Sequence, residues 1–366
     1  MKKFVALILA AMMLLSVAVF ASAEGEMRVA MITDVGTITD QSFNQTTYEA
    51  ALAWCEANGV DFTYYQPVAD TDPDRIDMID AAVGDGYNVI LMPGYKFGAA
   101  IGEEQDLYPE VKFIAIDVSE GDLGGAQLSS NVYCAVYQEE LCGYMAGYAA
   151  VKLGYKHLGF LGGMAVPAVV RYGFGFVQGA NQAAVDLGIA DQVTVEYAYG
   201  NQFFGDPDIT AYMDTWYQSM GVEVVFACGG GIYTSAAEAA KKVGGKVIGV
   251  DVDQSATIDG TYGEGMTVTS AMKGLGATVN TLLTEIQAGN FANFGGRVET
   301  LGLVGTDPAA NYVQIPAETT QFSETFTLED YNALVASMFN GDIQVSAAID
   351  AMPATQITVN DRGNIK

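Results

Sequence analysis

The sequence predicts an α/β protein made of two similar lobes. Three observations carry this: short β-branched runs alternate with helical patterns along nearly the whole chain, one β-α-β unit recurs in both halves, and the chain is long enough for two domains with separate cores. Near-continuous apolar strands joined by helices mark parallel sheets covered on both faces.

The first 23 of 366 residues read as a secretory signal, with Lys2 and Lys3 as a basic start, an apolar run from Phe4 to Phe20, and Ala21-Ser22-Ala23 as the small-residue cleavage pattern. The run is near the lower limit for spanning a bilayer, so an uncleaved anchor is the alternative. The mature chain is expected to begin near Glu24 and to be exported, periplasmic or at the cell surface. No cysteine follows the signal to carry a lipid.

Beyond it, strands are predicted at 28–33, 89–92, 111–116, 157–161, 222–227 and 246–250, with helices at 42–58, ended by Gly59, and at 137–152, ended by Gly154. Near the C-terminus 322–340 reads as a helical region, with Thr327 as a cap before Leu328-Glu329-Asp330. The internal echo is sharper than any single element. Val89-Ile90-Leu91-Met92-Pro93-Gly94 resembles Val224-Val225-Phe226-Ala227-Cys228-Gly229, and each is followed by a strand ending in aspartate, at Asp117 and Asp251. The glycine-to-aspartate spacings are 23 and 22 residues, so one unit of nearly constant length is present twice.

Without Lys2 and Lys3, 14 basic against 44 acidic residues leave a charge of −30, which makes nucleic acid and anionic lipid poor partners. The four cysteines, Cys55, Cys134, Cys142 and Cys228, form no CxxC pair, so buried free thiols are expected and a zinc site is not. No cofactor or metal is called for. In open α/β sheets ligands bind beyond the carboxyl ends of strands, and Asp34, Asp117 and Asp251 all lie at such ends. If the lobes face each other through these edges, the loops line one interdomain cleft. Between Asp34 and the first helix runs Val35-Gly36-Thr37-Ile38-Thr39-Asp40-Gln41-Ser42-Phe43-Asn44, in which Gly36 permits a tight turn and Ser42 can cap the helix. Asp34, Phe43 and Asn44 then suit a flat heterocycle, the ring stacking and the polar groups meeting its donors and acceptors. A plain N-cap beside a core phenylalanine is the competing reading.

That loop resembles the D-x-G-x-x-x-D-x-S-F-N signature of the basic membrane protein family of substrate-binding lipoproteins, which includes purine nucleoside receptors of ABC transporters. Phe113–Asp117, Leu141–Gly147, Leu158–Gly163, Ile248–Gln254 and Thr269–Lys273 resemble further family segments in the same order. The resemblance implies two Rossmann-like lobes joined by three crossovers, a type I periplasmic-binding-protein fold. The lobes would comprise 24–130 with 253–289 and 131–252 with 290–366, crossing near Ser129 to Ala135 and Asp251 to Gln254 and closing about a hinge. It also implies that Asp34 and Asn44 bind the base, that Phe43 stacks on one of its faces with Phe204 (Phe203 the alternative) as a second ring, and that Asp251 and Lys273 hold the ribose with support from Asp117. The implied partners are a nucleoside and an ABC transporter permease, and the implied state is a monomer. The stretch from about Gln314, above all Ile357 to Lys366, matches no family motif.

Other functions fit less well. Gly229-Gly230-Gly231 with Asp251 twenty residues beyond imitates a dinucleotide fingerprint, but Thr234 stands at the third glycine position. The sole histidine, His157, begins a strand with no nucleophile motif nearby, and Asp251-Val252-Asp253 is sparse for a metal-dependent hydrolase. An enzyme is therefore not expected. A sensing module with the same fold is the remaining alternative.

Overall fold

A computed structural model describes residues 25–34 and 36–366, and the expected signal segment lies outside the described residues. The chain first lays down β1 (Arg28–Ile32), α1 (Phe43–Asn58), β2 (Asp61–Tyr65), α2 (Asp72–Gly84), β3 (Val89–Pro93), α3 (Phe97–Glu104), β4 (Lys112–Ile116) and β5 (Val132–Tyr137). It then forms α4 (Glu139–Lys152), β6 (His157–Gly162), α5 (Pro167–Asp186), β7 (Thr194–Tyr199), α6 (Pro207–Asp214), β8 (Val224–Cys228), α7 (Tyr233–Lys241), β9 (Lys246–Asp251), α8 (Ser255–Tyr262) and β10 (Thr267–Lys273). The last elements are α9 (Leu275–Gln287), β11 (Arg297–Leu301), β12 (Val313–Gln314), α10 (Leu328–Phe339) and β13 (Thr358–Asn364).

These strands make two sheets, ordered β11-β5-β4-β3-β1-β2 and β12-β10-β9-β8-β6-β7-β13, parallel throughout except for the β10–β12 pair. The central strands explain the alternation seen in the sequence: every residue of β3 and β8 is buried, because helices cover both faces. Gly59 ends α1 in the left-handed conformation (φ 66°), its N–H reaching back to the Cys55 and Glu56 carbonyls. All four cysteines are buried and free. Among the described residues no helix is long and apolar enough to cross a membrane.

The chain passes between the sheets three times, but not where the sequence suggested. Ser129 to Ala135 leads into and forms β5 inside the first sheet, and Asp251 to Gln254 is a loop within the second lobe. The crossings fall instead at Gln138, at Gly274 and in the segment 302–312. They touch one another: the Gln138 N–H donates to the Leu301 carbonyl (2.9 Å), Gly274 N–H to Tyr312 (2.7 Å) and Tyr312 N–H to Gly302 (3.0 Å). The lobe boundaries move accordingly. Residues 253–273 belong to the second lobe because β10 pairs with β9, and 131–137 and 297–301 belong to the first because β5 pairs with β4 and β11 with β5. Pairing partner decides the lobe, and pairing partner is not written in a strand's own apolar pattern.

Two further features support the cleft. Helices α4 and α5 pack backbone to backbone through glycines: a methyl on Gly143 or Gly147 would fall 2.2 or 2.1 Å from the Tyr172 or Phe176 carbonyl oxygen, and one on Gly175 or Gly179 would fall 2.1 or 2.0 Å from that of Glu140 or Tyr144. At the other end of the chain, Thr327 caps α10 in a reciprocal pair with Asp330 as expected. The final strand, unplaced by sequence, adds β13 to the edge of β7. There Arg362 and Asn360 both donate to the buried Glu196 at 2.8 Å, opposite His157 at 3.3 Å.

Gly179→Ala is expected to lower the unfolding free energy by about 1–3 kcal/mol through overpacking. Gly260→Ala, in a helix with no atom within 4 Å of the added methyl, is expected to be neutral or stabilising. Urea denaturation of both variants checks this.

Candidate ligand-binding cleft

The carboxyl ends of the two sheets face each other across a cavity of about 690 Å³. That volume is in the range of small-molecule sites. Each wall is built from a strand end and the loop that follows it.

On the first lobe the loop after β1 is organised by Asp40 rather than by Ser42. One Asp40 carboxylate oxygen accepts from the Ser42 and Gln45 backbone N–H groups (2.9 and 3.1 Å), and the other from the Asn44 N–H (2.9 Å) and side-chain amide (3.1 Å). Asp40 thus satisfies the open N–H groups at the start of α1, and Ser42 makes no side-chain cap. The second hydrogen of the Asn44 amide goes to Asp34 Oδ1 at 3.0 Å, which also accepts from Gly36 N–H at 2.6 Å. Close approach requires the glycines here: a methyl at Gly36 would sit 2.2 Å from the Asn44 amide nitrogen, and one at Gly94 (φ 131°) would sit 2.9 Å from Asp34 Cβ. Burial pushes the Asp34 carboxyl up to about 6.

The recurring unit delivers two aspartates in the same backbone state. Asp117 after β4 and Asp251 at the end of β9 have φ of 62° and 65°, a left-handed conformation uncommon outside glycine. Asn201, on the loop after β7 and also lining the cavity, has φ 60°. Non-glycine residues held this way concentrate at functional sites.

Lys273, the last residue of β10, joins the walls. Its side chain is 2% exposed, and its ammonium donates to Asp117 Oδ2 at 2.6 Å and lies 3.2 Å from Glu139 Oε1. The same nitrogen is 5.1 Å from the Phe43 ring centre and 5.5 Å from those of Tyr137 and Tyr172. Burial alone would lower the lysine, but the surrounding carboxylates Asp117, Glu139 and Asp251 raise it well above its ordinary value, so it stays charged. Asp117 is pushed up to about 6 by burial against the opposing pull of Lys273. Asp251 is also raised by burial. It accepts from Ser42 Oγ at 2.6 Å, a bond between the lobes, and Tyr172 lies on its other oxygen at 3.4 Å. Gln254 Nε2 adds a second tie between the lobes to the Gln41 carbonyl at 3.0 Å. Two buried acceptors, Asn44 Oδ1 and Asp117 Oδ1, have no hydrogen-bond partner among the described residues.

All seven residues singled out from the sequence, Asp34, Phe43, Asn44, Asp117, Phe204, Asp251 and Lys273, line this one cavity. Phe204 is 61% exposed and bridges to Gly231, whereas the Phe203 ring packs over Gly163 and Gly229. The Gly229–Gly231 run serves that packing, since a methyl on Gly229 would fall 2.9 Å from Gly163 Cα. Sequence reasoning missed Glu139, Arg171 and Tyr172. Arg171 Nε donates to Glu139 Oε2 at 2.5 Å, and the glycine contacts between α4 and α5 bring these helix starts together. Arg171 in a chain with so few basic residues was the one available signal.

With this geometry in hand, comparison with known proteins is informative. A family model described as "ABC transporter substrate-binding protein PnrA-like" matches residues 27–345. An "ABC transporter nucleoside-binding protein BmpA" from Lactococcus lactis subsp. cremoris is 27% identical over 296 residues, covering 76% of this chain and 79% of that one. "Basic membrane protein B" from Borreliella burgdorferi is 26% identical, covering 77% and 80%. The crystal structure of an ABC transporter system solute-binding protein from Aeropyrum pernix K1 superposes with a TM-score of 0.67 at 22% identity, covering 87% of each chain, which shows the same two-lobe periplasmic-binding fold.

Removing the buried cation strands three carboxylates, so Lys273→Met is expected to cost about 3–5 kcal/mol at pH 8 in urea denaturation. Adding Asp117→Asn should recover part of the loss. Lowering the pH to 5 should do the same. The raised Asp117 carboxyl penalises the fold only while ionised, and that penalty is relieved as pH falls through about 6.

Proposed function

Because the chain belongs to the Bmp family of PnrA-like ABC transporter substrate-binding proteins, we propose that it captures a nucleoside, of the purine type, between its two lobes and delivers it to an ABC transporter permease. Substrate-binding proteins of ABC transporters work outside the cytoplasm, and they bind their cargo without converting it. The observation that carries the nucleoside reading is the adjacency of ring and ion: the Lys273 ammonium sits 5.1 Å from the centre of the Phe43 ring while paired with Asp117. A ligand stacked on Phe43 therefore has a charged, carboxylate-flanked grip beside it. That suits a flat base joined to a sugar.

In this reading Asp34 and Asn44 bind the base edge, Phe43 covers one face, and Phe204 or Phe203 covers the other. Asp251 accepts from ribose hydroxyls, Lys273 donates to one of them, and Asp117 holds Lys273 in place. The Lactococcus relative's name is in keeping with this choice. Selectivity follows from burial. A ligand lacking a matching hydroxyl leaves desolvated protein groups unpaired, at roughly 1–3 kcal/mol each. Both lobes contribute side chains, so binding stabilises the state in which they are together, by about 2.7 kcal/mol at a ligand concentration 100 times Kd.

Isothermal titration calorimetry and thermal shift against purine nucleosides, free purine bases, ribose and simple hexoses test the reading. Nucleosides are expected to bind and to raise the melting temperature without turnover. Asp251→Ala is expected to weaken nucleosides about tenfold or more while leaving any binding of the free base nearly unchanged. Binding of hexoses in preference to all nucleosides would overturn it.

A further inference from the structure

The hydrogen-bond accounting at Asp34 carries the nucleoside reading one step further and rests on it. Both hydrogens of the Asn44 side-chain amide are already engaged, one on Asp34 Oδ1 at 3.0 Å and one on Asp40 Oδ2 at 3.1 Å. What Asn44 has left is its oxygen, which is buried and unpartnered. Asp40 accepts at both oxygens from the backbone and from Asn44. Asp34 Oδ1 is held by Gly36 and Asn44, while no hydrogen bond among the described residues reaches its Oδ2. An ionised Asp34 and its neighbours therefore have acceptors to offer along this stretch of wall and no hydrogen.

We propose that the Asp34–Asn44 pair selects a base whose ring edge presents an N–H donor and rejects one that presents a ring-nitrogen acceptor at the same place. Guanosine and inosine, each with an N–H at ring position 1, meet the Asp34 carboxylate with a charge-assisted hydrogen bond. Adenosine brings a lone pair to that position. Two acceptors face each other, and neither can regain the water it lost on binding. Adenosine can pair there only if Asp34 carries a proton.

The groups facing Asp34 permit that exchange at mildly acid pH. Asp40 lies in the same loop, and Tyr95 and Lys96 lie on the segment entering α3, with Lys96 paired to Asp70. Burial outweighs the Gly36 and Asn44 hydrogen bonds and Lys96, and the carboxyl titrates at about 6. Above that pH the carboxylate form favours N–H bases. Below it the acid form donates to the adenine nitrogen, so the guanosine and inosine advantage shrinks.

Calorimetry of the full chain with guanosine, inosine, adenosine and 1-methylinosine at pH 8 and pH 5.5 tests this, with Asp34→Asn as the variant. In the wild type at pH 8, guanosine and inosine are expected to bind about tenfold or more tighter than adenosine and 1-methylinosine, with the gap to adenosine narrowing at pH 5.5. In Asp34→Asn the inner oxygen still serves Gly36 and Asn44, so the new amide nitrogen takes the outer place as a donor. The adenosine disadvantage is then expected to vanish or reverse and to lose its pH dependence. A thermal melt matching the wild type establishes that the variant is folded; if it is not, the pH dependence of the wild-type ratio decides alone. Equal binding of inosine and adenosine at pH 8 and at pH 5.5 would overturn the selectivity and leave the nucleoside reading standing. Binding of none of the four would overturn that reading itself.

Discussion

One buried ammonium holds the two lobes to a common geometry. Lys273 comes from the second sheet, Asp117 from the first and Glu139 from the first residue of the helix that follows the first crossing, and all three meet within 3.2 Å of the lysine nitrogen. Taking such charges out of water costs several kcal/mol per ion, and the arrangement persists only because the partners are close and further hydrogen bonds complete it. Arg171 on Glu139 and Ser42 on Asp251 supply those bonds. The lobes therefore have few ways to sit together, and the ring and carboxylates of the cleft inherit that precision.

Duplication explains why the site is polar on both walls. The same β-α-β unit ends in an aspartate with a left-handed backbone in each lobe, and a right-handed or extended residue there would aim its carboxylate elsewhere. The copies have then diverged in partner: Asp117 takes the lysine and Asp251 takes a serine and a tyrosine. Helix geometry adds the third layer, since the glycine contacts between α4 and α5 fix the distance between Glu139 and Arg171. A long way from the centre, the C-terminal strand continues the same logic. Ile365 N–H donates to the Tyr199 carbonyl at 2.8 Å and Lys366 pairs with Asp206, which bounds the loop carrying Phe203 and Phe204.

Three features were legible in the residues themselves: the α/β class, the repeated unit and the set of seven cleft residues. Parallel strands buried on both faces must be continuously apolar, and strand-end aspartates in an otherwise apolar context stand out against them. Gly59 after α1 and Thr327 before α10 were readable for a similar reason, because capping depends only on neighbours along the chain. The role of Ser42 was misjudged on the same local logic. A serine before a helix is a good cap, but Asp40 reached the open N–H groups and freed the hydroxyl for a bond 209 residues away.

The sequence by itself determined which segments become strands and helices and which side chains stand at strand ends, because both follow from short-range periodicity and backbone preference. Only the tertiary structure decided which sheet β5, β10 and β11 join, where the three crossings run, and that Glu139, Arg171 and Tyr172 belong to the cleft. Those outcomes rest on contacts between residues remote in the chain. Their energies come from desolvated charge and backbone close packing, and neither has a signature in local pattern.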